Sequence, residues 1–578
     1  MKRFLTIFIV CIFASASFAA PPLPRILSDE DVLTYTEIFR LQDAGKFDAA
    51  KKLEGKLSDK ILMGEVLFQR YMDKGYKSTL KELNVWMSQH SRHPGADSIH
   101  ALAKKRGGTA LTTRPPQVPV ALSARDNNAT SESFTTGTYD KKINSKIATF
   151  KRSLKRGKTL NAKNILTEPA VKKALSKSDY GRLAGRLAFM YYSDAQFVQA
   201  KEWGTISAEA GSEYGLWTMG LMSYKEGYFT IATDYFARMT QLEHIGESRK
   251  AEAAFWAGRS AAEAGNDALA KKFWKAASKN SQLFYGKLSI KMLGGTPEFE
   301  FFEQKITNTD FAEIMKHSYG MRGLALMQVG QIEAAERQFR YLATAESSDK
   351  LLHAAHALGT NYELPRLQLQ MGRITREKGI LEISPDVISA AQYPMPNWEP
   401  LKGWSVDRAL VFAIIRQESA FKTNAKSSAG AQGAMQLMPK TAKTIARQNH
   451  INLGALNMSN PEHNVYLGQT LINNLLKRPH IDNNIIKLLA AYNAGEQRML
   501  NWQKKFNTDD PFLYIESFPA FETREYIKLV ISNLWLYRAR LDQPMTAITD
   551  LAEGRWPIYS SHDHIASAHE NAEDDSEL

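Results

Sequence analysis

The sequence predicts an all-α protein in two parts, an extended array of helix pairs followed by a separate helical domain. Three observations predict it. A spaced pattern, large residue–x–x–Ala–x–x–large residue, returns along the first two thirds of the chain. Apolar residues at helical spacing dominate from about Ser28 to Lys104 and again from Lys142 to Lys378. Pro385, Pro394, Pro396 and Pro400 then make a stiff junction, after which a new helical pattern starts near Ser405.

In chain order, Lys2 and Arg3 precede an apolar run, Phe4 to Phe13, and the small residues Ala14 to Ala20. That is the three-part pattern of a secretory signal peptide, residues 1–19, with cleavage expected after Ala19. A membrane anchor would need about 20 apolar residues, and this run is shorter. Cys11, the only cysteine, would leave with the signal, so the mature chain has no disulfide, thiol nucleophile or cysteine metal site. Export without disulfides suits a bacterial periplasm.

Residues 20–104 read as an N-terminal helical segment containing Phe47-x-x-Ala50-x-x-Leu53 after Gly45. Residues 105–140 change character: Gly107-Gly108, Pro115-Pro116 and the run from Asp126 to Ser133 lack helical period and read as a flexible linker or loop. Residues 141–390 resume the repeat. Phe197-x-x-Ala200-x-x-Trp203 and Phe229-x-x-Ala232-x-x-Tyr235 are offset by 32 residues, Asp267-x-x-Ala270-x-x-Phe273 follows after 38, and Ile332-x-x-Ala335 comes later. A small residue between large ones lets paired helices approach, and a preceding Gly marks the turn. Periods in the thirties predict a superhelix of tetratricopeptide-like helix pairs. Its many aromatics, from Tyr191 to Trp274, are expected mainly between helix layers. A helical domain at 391–557 and an acidic, disordered tail at 558–578 complete the chain. His562, His564 and His569 in that tail are read as incidental, and no metal site or cofactor is expected.

The 578 residues carry 74 Lys and Arg against 61 Asp and Glu, a formal charge of +13. Setting aside the two signal cations and the six acids of the tail leaves the remainder more basic still. A basic surface steers polyanions toward it. Nucleic acid is not expected for an exported chain; an anionic cell-wall polymer fits the compartment. No later segment is long and apolar enough to span a bilayer.

The helix after the junction carries the chemistry. Ser405 is expected to cap it and Asp407 to sit in its first turn. Leu410, Ile414 and Glu418 fall on one stripe, so a carboxyl rides at the end of an apolar face with no basic neighbour there. Desolvation and the negative end of the helix dipole both raise its pKa. A proton held near neutral pH is what a general acid needs, and Glu418 is the candidate catalytic residue. A loop of small residues follows, with Ser427, Gly430 and Gly433, then Met435, Gln436 and Met438, before Pro439 opens the next helix.

Glu418-Ser419, Ala425-x-Ser427 and Gly430-Ala-Gln-Gly433-Ala-Met435-Gln436-Leu-Met438-Pro439 resemble the catalytic signature of soluble lytic murein transglycosylases. Ala491-Tyr492-Asn493-Ala494-Gly495 resembles that family's second motif, and Glu516-Ser-Phe-Pro519 with Glu522-Thr-Arg524 and Tyr526 its third. Ala434 and Thr423 depart from the usual Leu and Pro, both at packing or loop positions. The resemblance covers about a quarter of the chain and implies a lysozyme-like catalytic domain on the superhelix.

Ordinary glycosidases need a second carboxyl group about 5–9.5 Å away. Asp407 lies roughly 16 Å back along the same helix, which is too far. Glu516, Glu522 and Glu525 remain as groups that folding could bring in. Glu522 is placed at the start of a helix read as Thr523–Tyr537, where the dipole favours its anion. The resemblance implies that no second catalytic carboxylate is needed. Glu418 alone would protonate the oxygen between N-acetylmuramic acid and N-acetylglucosamine, then accept the C6 hydroxyl proton as a 1,6-anhydro ring closes. Ser427, Gln436 and Tyr492 would hold sugar polar groups, and Met438 and Tyr492 would supply apolar surface. Glu522 would position substrate or loop, while Ser419, Gly430, Gly433, Met435, Asn493 and Gly495 would shape the site. The expected partners are peptidoglycan glycan strands, with cell-wall synthesis or division proteins on the superhelix. A hydrolytic muramidase and a catalytically silent wall-binding scaffold are the alternatives.

Overall fold

A computed structural model describes residues 21–108, 139–380 and 387–563. The signal, most of the 105–140 segment and tail residues 564–578 lie outside the described residues. Helices make up nearly all of the regular structure; the strands Glu300–Phe302 and Val387–Ser389 pair as a two-stranded sheet.

The repeat pattern marks where helices begin. Phe47, Phe197, Phe229, Asp267 and Ile332 are each the first residue of a helix. The alanine three positions on is at most 1% exposed in every case: Ala50, Ala200, Ala232, Ala270 and Ala335. A methyl there lets the partner helix come close, where a longer side chain would hold it off. Two residues before each helix the backbone turns through positive φ. Glycine supplies this at Gly45, Gly227, Gly265 and Gly330, and Ala195 does so at φ 59°. Of the aromatics between Tyr191 and Trp274, Tyr192, Trp203, Trp217, Phe236, Phe255 and Trp256 are buried, while Tyr228 is exposed. Trp256 packs edge-on against Trp217 and Tyr224, the aromatic layer the repeat requires.

The chain forms two compact units, each assembled from separated stretches. In the first, helices of residues 21–108 share a core with those of 302–380, so Leu27, Tyr35 and Ile38 belong to the cluster that contains Phe311, Leu326 and Leu358. The second unit joins helices of residues 139–301 to those of 397–563. At its centre runs the helix Phe521–Arg540, longer at both ends than the Thr523–Tyr537 read from sequence. It is buried on nearly every side, including Lys528 and Arg538, and Trp535 stacks on Phe284 with ring centroids 5.3 Å apart.

Close approach at the repeat alanines predicts that Ala232→Leu destabilises the protein by about 1–3 kcal/mol. Ile231→Leu, at a neighbouring position that is 51% exposed, should stay within about 0.5 kcal/mol. Urea unfolding of the two variants measures the difference.

Candidate active site

The helix Arg408–Ser419 presents Glu418 one residue from its C-terminus. Leu410 and Ile414, on the same stripe, are fully buried. Ser405 is not the cap; its oxygens accept from the Asn473 side chain instead. Asp407 occupies the cap position but makes no side-chain cap bond. It is fully buried because its carboxylate pairs with Arg538 at 3.1 Å, while its own N–H donates to the Tyr559 hydroxyl. The free Arg408 N–H donates to Asp563 at 2.9 Å. Residues 558–563, grouped with the tail on sequence, thus pack back onto the start of this helix: the helix terminus needs an acceptor that Asp407, held by Arg538, does not provide.

At the other end the chain reverses through two left-handed residues, Ala420 at φ 48° and Phe421 at φ 61°. Such backbone costs on the order of 1 kcal/mol or more per residue and persists only where packing holds it. Phe421 is 1% exposed against Phe412 and Trp398.

The loop that follows is tied to itself. Gln432 and Leu437 exchange backbone hydrogen bonds, the Gly433 N–H donates to Ala425 O, and the Ser427 hydroxyl accepts from the Ala431 N–H at 3.0 Å. Gly433 has φ 81°, and a Cβ there would fall 2.1 Å from the Asn464 amide. Asn464 is fully buried and grips both sides of the loop, accepting from the Met435 N–H at 2.7 Å and donating to Gln432 O. Sequence reasoning missed it; a lone Asn in the helix Pro461–Leu476 carries no local signal. Met435 is buried beneath the loop, where Gly468 leaves room for its sulfur. Gly430 has φ 93° with open space around it.

Glu418 lies in this enclosure beside Tyr492, Tyr526 and Glu522. Burial raises its carboxyl to about 8; the Tyr526 hydroxyl, facing it, pulls down, and the Glu522 carboxylate pushes up. The Tyr492 hydroxyl donates to Met435 O at 2.8 Å, fixing the ring between loop and carboxyl. Burial and the Glu418 charge together push both tyrosines well above the ordinary phenol value. Tyr526 was read from sequence as part of the third motif, without a role, and its hydroxyl belongs to the site. Glu522 sits in the first turn of the helix Phe521–Arg540, as expected. Thr523, next to it, donates to Asn493 Oδ1 at 2.7 Å and so locks the second motif to the third. Gly495 at φ 89° turns the chain out of the helix Ile485–Ala494. Ser419 bonds back to Ile415 O.

Two residues expected to contact sugar have settings of their own. The Gln436 amide nitrogen is engaged by Gly433 O at 2.8 Å and by Ala425 O, so it braces the loop. Met438 is 40% exposed at the rim. Of the other carboxyl groups considered, Glu516 and Glu525 both pair with Lys528. A groove of about 1200 Å³ runs past Glu522, with Lys151, Arg186, Arg249 and Arg498 among its cations and Phe189 and Trp217 among its aromatics.

Residues 397–515 match the family model of the transglycosylase SLT domain. This stretch is an SLT domain. It holds Glu418, the loop and Tyr492, whereas Glu522 and Tyr526 lie just beyond the match. The soluble lytic murein transglycosylase of Salmonella typhimurium is 33% identical over 152 residues, which is 26% of this chain and 23% of the relative. The alignment thus spans about a quarter of the relative's length. Among solved structures, a complex of the 70-kDa soluble lytic transglycosylase with bulgecin A superposes with TM-score 0.67 at 18% identity, covering 92% of this chain and all of that one. An inactive Glu-to-Gln mutant of lytic transglycosylase Slt from Pseudomonas aeruginosa gives TM-score 0.55 at 19% identity, over 89% and 81% of the two chains. The chain shares their all-α fold, a helical array joined to a lysozyme-like SLT domain.

Two stability outcomes follow from the site. Gly433→Ala should cost at least about 2 kcal/mol, because the added methyl meets Asn464 in a backbone region that L-residues avoid; urea unfolding measures it. Glu418 holds its proton in the folded state long after the unfolded chain has lost it. Wild-type stability is therefore penalised progressively as pH rises from about 4.5 to about 8, and by a constant amount above that. Glu418→Gln should match the wild type near pH 4 and exceed it by on the order of 2 kcal/mol at pH 8, read from thermal melts across that range.

Proposed function

We propose that this protein is a lytic murein transglycosylase that cleaves the β-1,4 bond between N-acetylmuramic acid and N-acetylglucosamine, with Glu418 as its single acid and base. The observation that carries the reading is a half-buried carboxyl at the helix end before the SLT motif loop, faced by the Tyr526 hydroxyl and the Glu522 carboxylate and raised by burial to about 8. At neutral pH such a group is protonated, so it can give its proton to the glycosidic oxygen as the bond to C1 breaks. Transfer leaves a carboxylate in a poorly solvated pocket, which makes it a stronger base than a carboxylate in water. It then takes the proton of the muramoyl C6 hydroxyl as that oxygen closes on C1. The acid is regenerated and no water is consumed.

Glu522, exposed at a helix N-terminus, favours the neutral acid before transfer through its charge on Glu418. Tyr526 steadies the carboxylate after it. Ser427, Gln436, Met438 and Tyr492 would contact the sugars, Gln436 through the part of its amide not used by the loop. The basic groove beside Glu522 suits the carboxylates of the wall polymer. No helix among the described residues is long and apolar enough to cross a membrane. The signal pattern at residues 1–19 supports a periplasmic location, where glycan strands are the substrate and cell-wall synthesis or division proteins could dock on the helical array.

Digestion of purified sacculi tests the reading. The released muropeptides should be about 18 Da lighter than hydrolysed ones, one water less per cut; masses of the hydrated sugars would instead indicate a muramidase. Glu418→Gln should lower turnover by at least about 10³-fold while leaving sacculus binding within a few-fold. Wild-type kcat/KM should fall as pH rises through about 8, where the acid loses its proton.

A further inference from the structure

The helix Phe521–Arg540 presents Tyr526 and Glu522 to Glu418, and what holds that helix in rotation lies on its other side. At about 100° per residue, Tyr526 and Lys528 leave the helix roughly 200° apart, on nearly opposite faces. Any roll that moved one would move the other.

Lys528 is 6% exposed, and its ammonium meets three carboxylates: Glu252 at 2.6 Å, Glu525 at 2.8 Å and Glu516 at 3.0 Å. Glu525 lies on the same helix and Glu516 in the helix Pro511–Ser517, just before it. Glu252 is different. It belongs to the helix Glu247–Glu263 of the array, far outside the SLT domain, and is 4% exposed. Arg249 pairs with its other oxygen. Tyr285, from the array helix Phe284–Met292, donates to Glu516 at 2.5 Å. Burial works against the Glu516 carboxylate, yet Lys528, the Tyr285 hydroxyl and Arg524 hold it below the usual range. The three donors of the ammonium are taken by three carboxylates in three directions in space.

We propose that Glu252 is a positioning residue for Glu418: through Lys528 it fixes the roll of the helix Phe521–Arg540, and so the placement of Tyr526 and Glu522 against the catalytic carboxyl. This rests on the transglycosylase reading and adds to it a role for the helical array inside the reaction. Apolar packing cannot set the roll so sharply, because the Phe284–Trp535 stack tolerates sliding where a 2.6 Å charged contact does not.

Removing Glu252 leaves Lys528 with two carboxylates, so a folded variant is expected; removing Lys528 would strand the buried Glu252 and Glu516 beside the half-buried Glu525. The experiment therefore uses Glu252→Gln, Glu252→Asp and, as a control, Glu247→Gln on the exposed face of the same helix. In each full-length chain the Glu418 titration is followed by difference infrared spectroscopy against the matching Glu418→Gln variant. Turnover of sacculi and melting are measured alongside. A rolled helix opens the enclosure to water and relieves the burial that raises Glu418. Glu252→Gln should lower its midpoint by about half a unit or more and kcat by about tenfold with KM within about twofold. Glu252→Asp, which keeps the charge, should recover at least half of the shift, and Glu247→Gln should show none.

A wild-type Glu418 midpoint in folded Glu252→Gln would overturn the proposal, and so would a loss of turnover that only tracks the unfolded fraction. Should the wild type release no glycan product while Glu252→Gln still moves the midpoint, the transglycosylase reading fails and the positioning role stands.

Discussion

A carboxyl group largely withdrawn from water, yet still reachable, sets the terms for everything around it. Glu418 has no cation among the groups that act on it, only two phenols and a second carboxylate. A basic neighbour would have made the site cheaper to fold and useless as an acid, since it would have drawn the proton off below neutral pH. The surroundings accept that cost. The helix ends in two left-handed residues, Gln436 adds a third at φ 49°, and Asn464 spends both ends of its amide on loop backbone. Three left-handed residues and a fully buried amide lie where the chemistry is proposed, and the packing around them holds them.

The helix Phe521–Arg540 does much of that holding. It is too uniformly buried for an amphipathic stripe, and its charges are placed as clamps. Arg538, near its end, pairs with Asp407 at the start of the helix that carries Glu418. Lys528, near its middle, reaches the array through Glu252. Tyr526 lies between the start of the helix and Lys528, facing the carboxyl. A buried ion pair is seldom a net source of stability, but losing one partner leaves the other exposed to a large penalty. Such pairs discriminate strongly among ways of seating a helix, which suits an acid whose pKa depends on how its neighbours are seated.

Parts of this were open to a reader of the chain alone. The repeat alanines at 50, 200, 232, 270 and 335, and the glycine that precedes all but the second, state a local requirement, close approach after a left-handed turn, and local requirements are written in consecutive residues. Glu418 after Leu410 and Ile414, and the small residues from Ser427 to Gly433, are of the same kind. Tyr526 stood in the third motif but carried no role there, because a phenol reads the same in a core and against a carboxyl. Gln436 was read as a sugar contact, and its nitrogen also closes the loop. Asn464 gave no sign at all.

What the sequence by itself determined is therefore the all-α architecture, the positions where helices begin and turn, and the one acid placed at the end of an apolar stripe. Each depends on residues within a turn or two of one another. The tertiary structure alone decided that residues 21–108 share a core with 302–380, that Ser405 yields its capping place while Asp407 takes Arg538, and that Glu516 and Glu525 are spent on Lys528, leaving Glu522 to face Glu418. These outcomes turn on which distant charges meet out of water, and the energy of a buried charge depends on partners that spacing along the chain does not reveal.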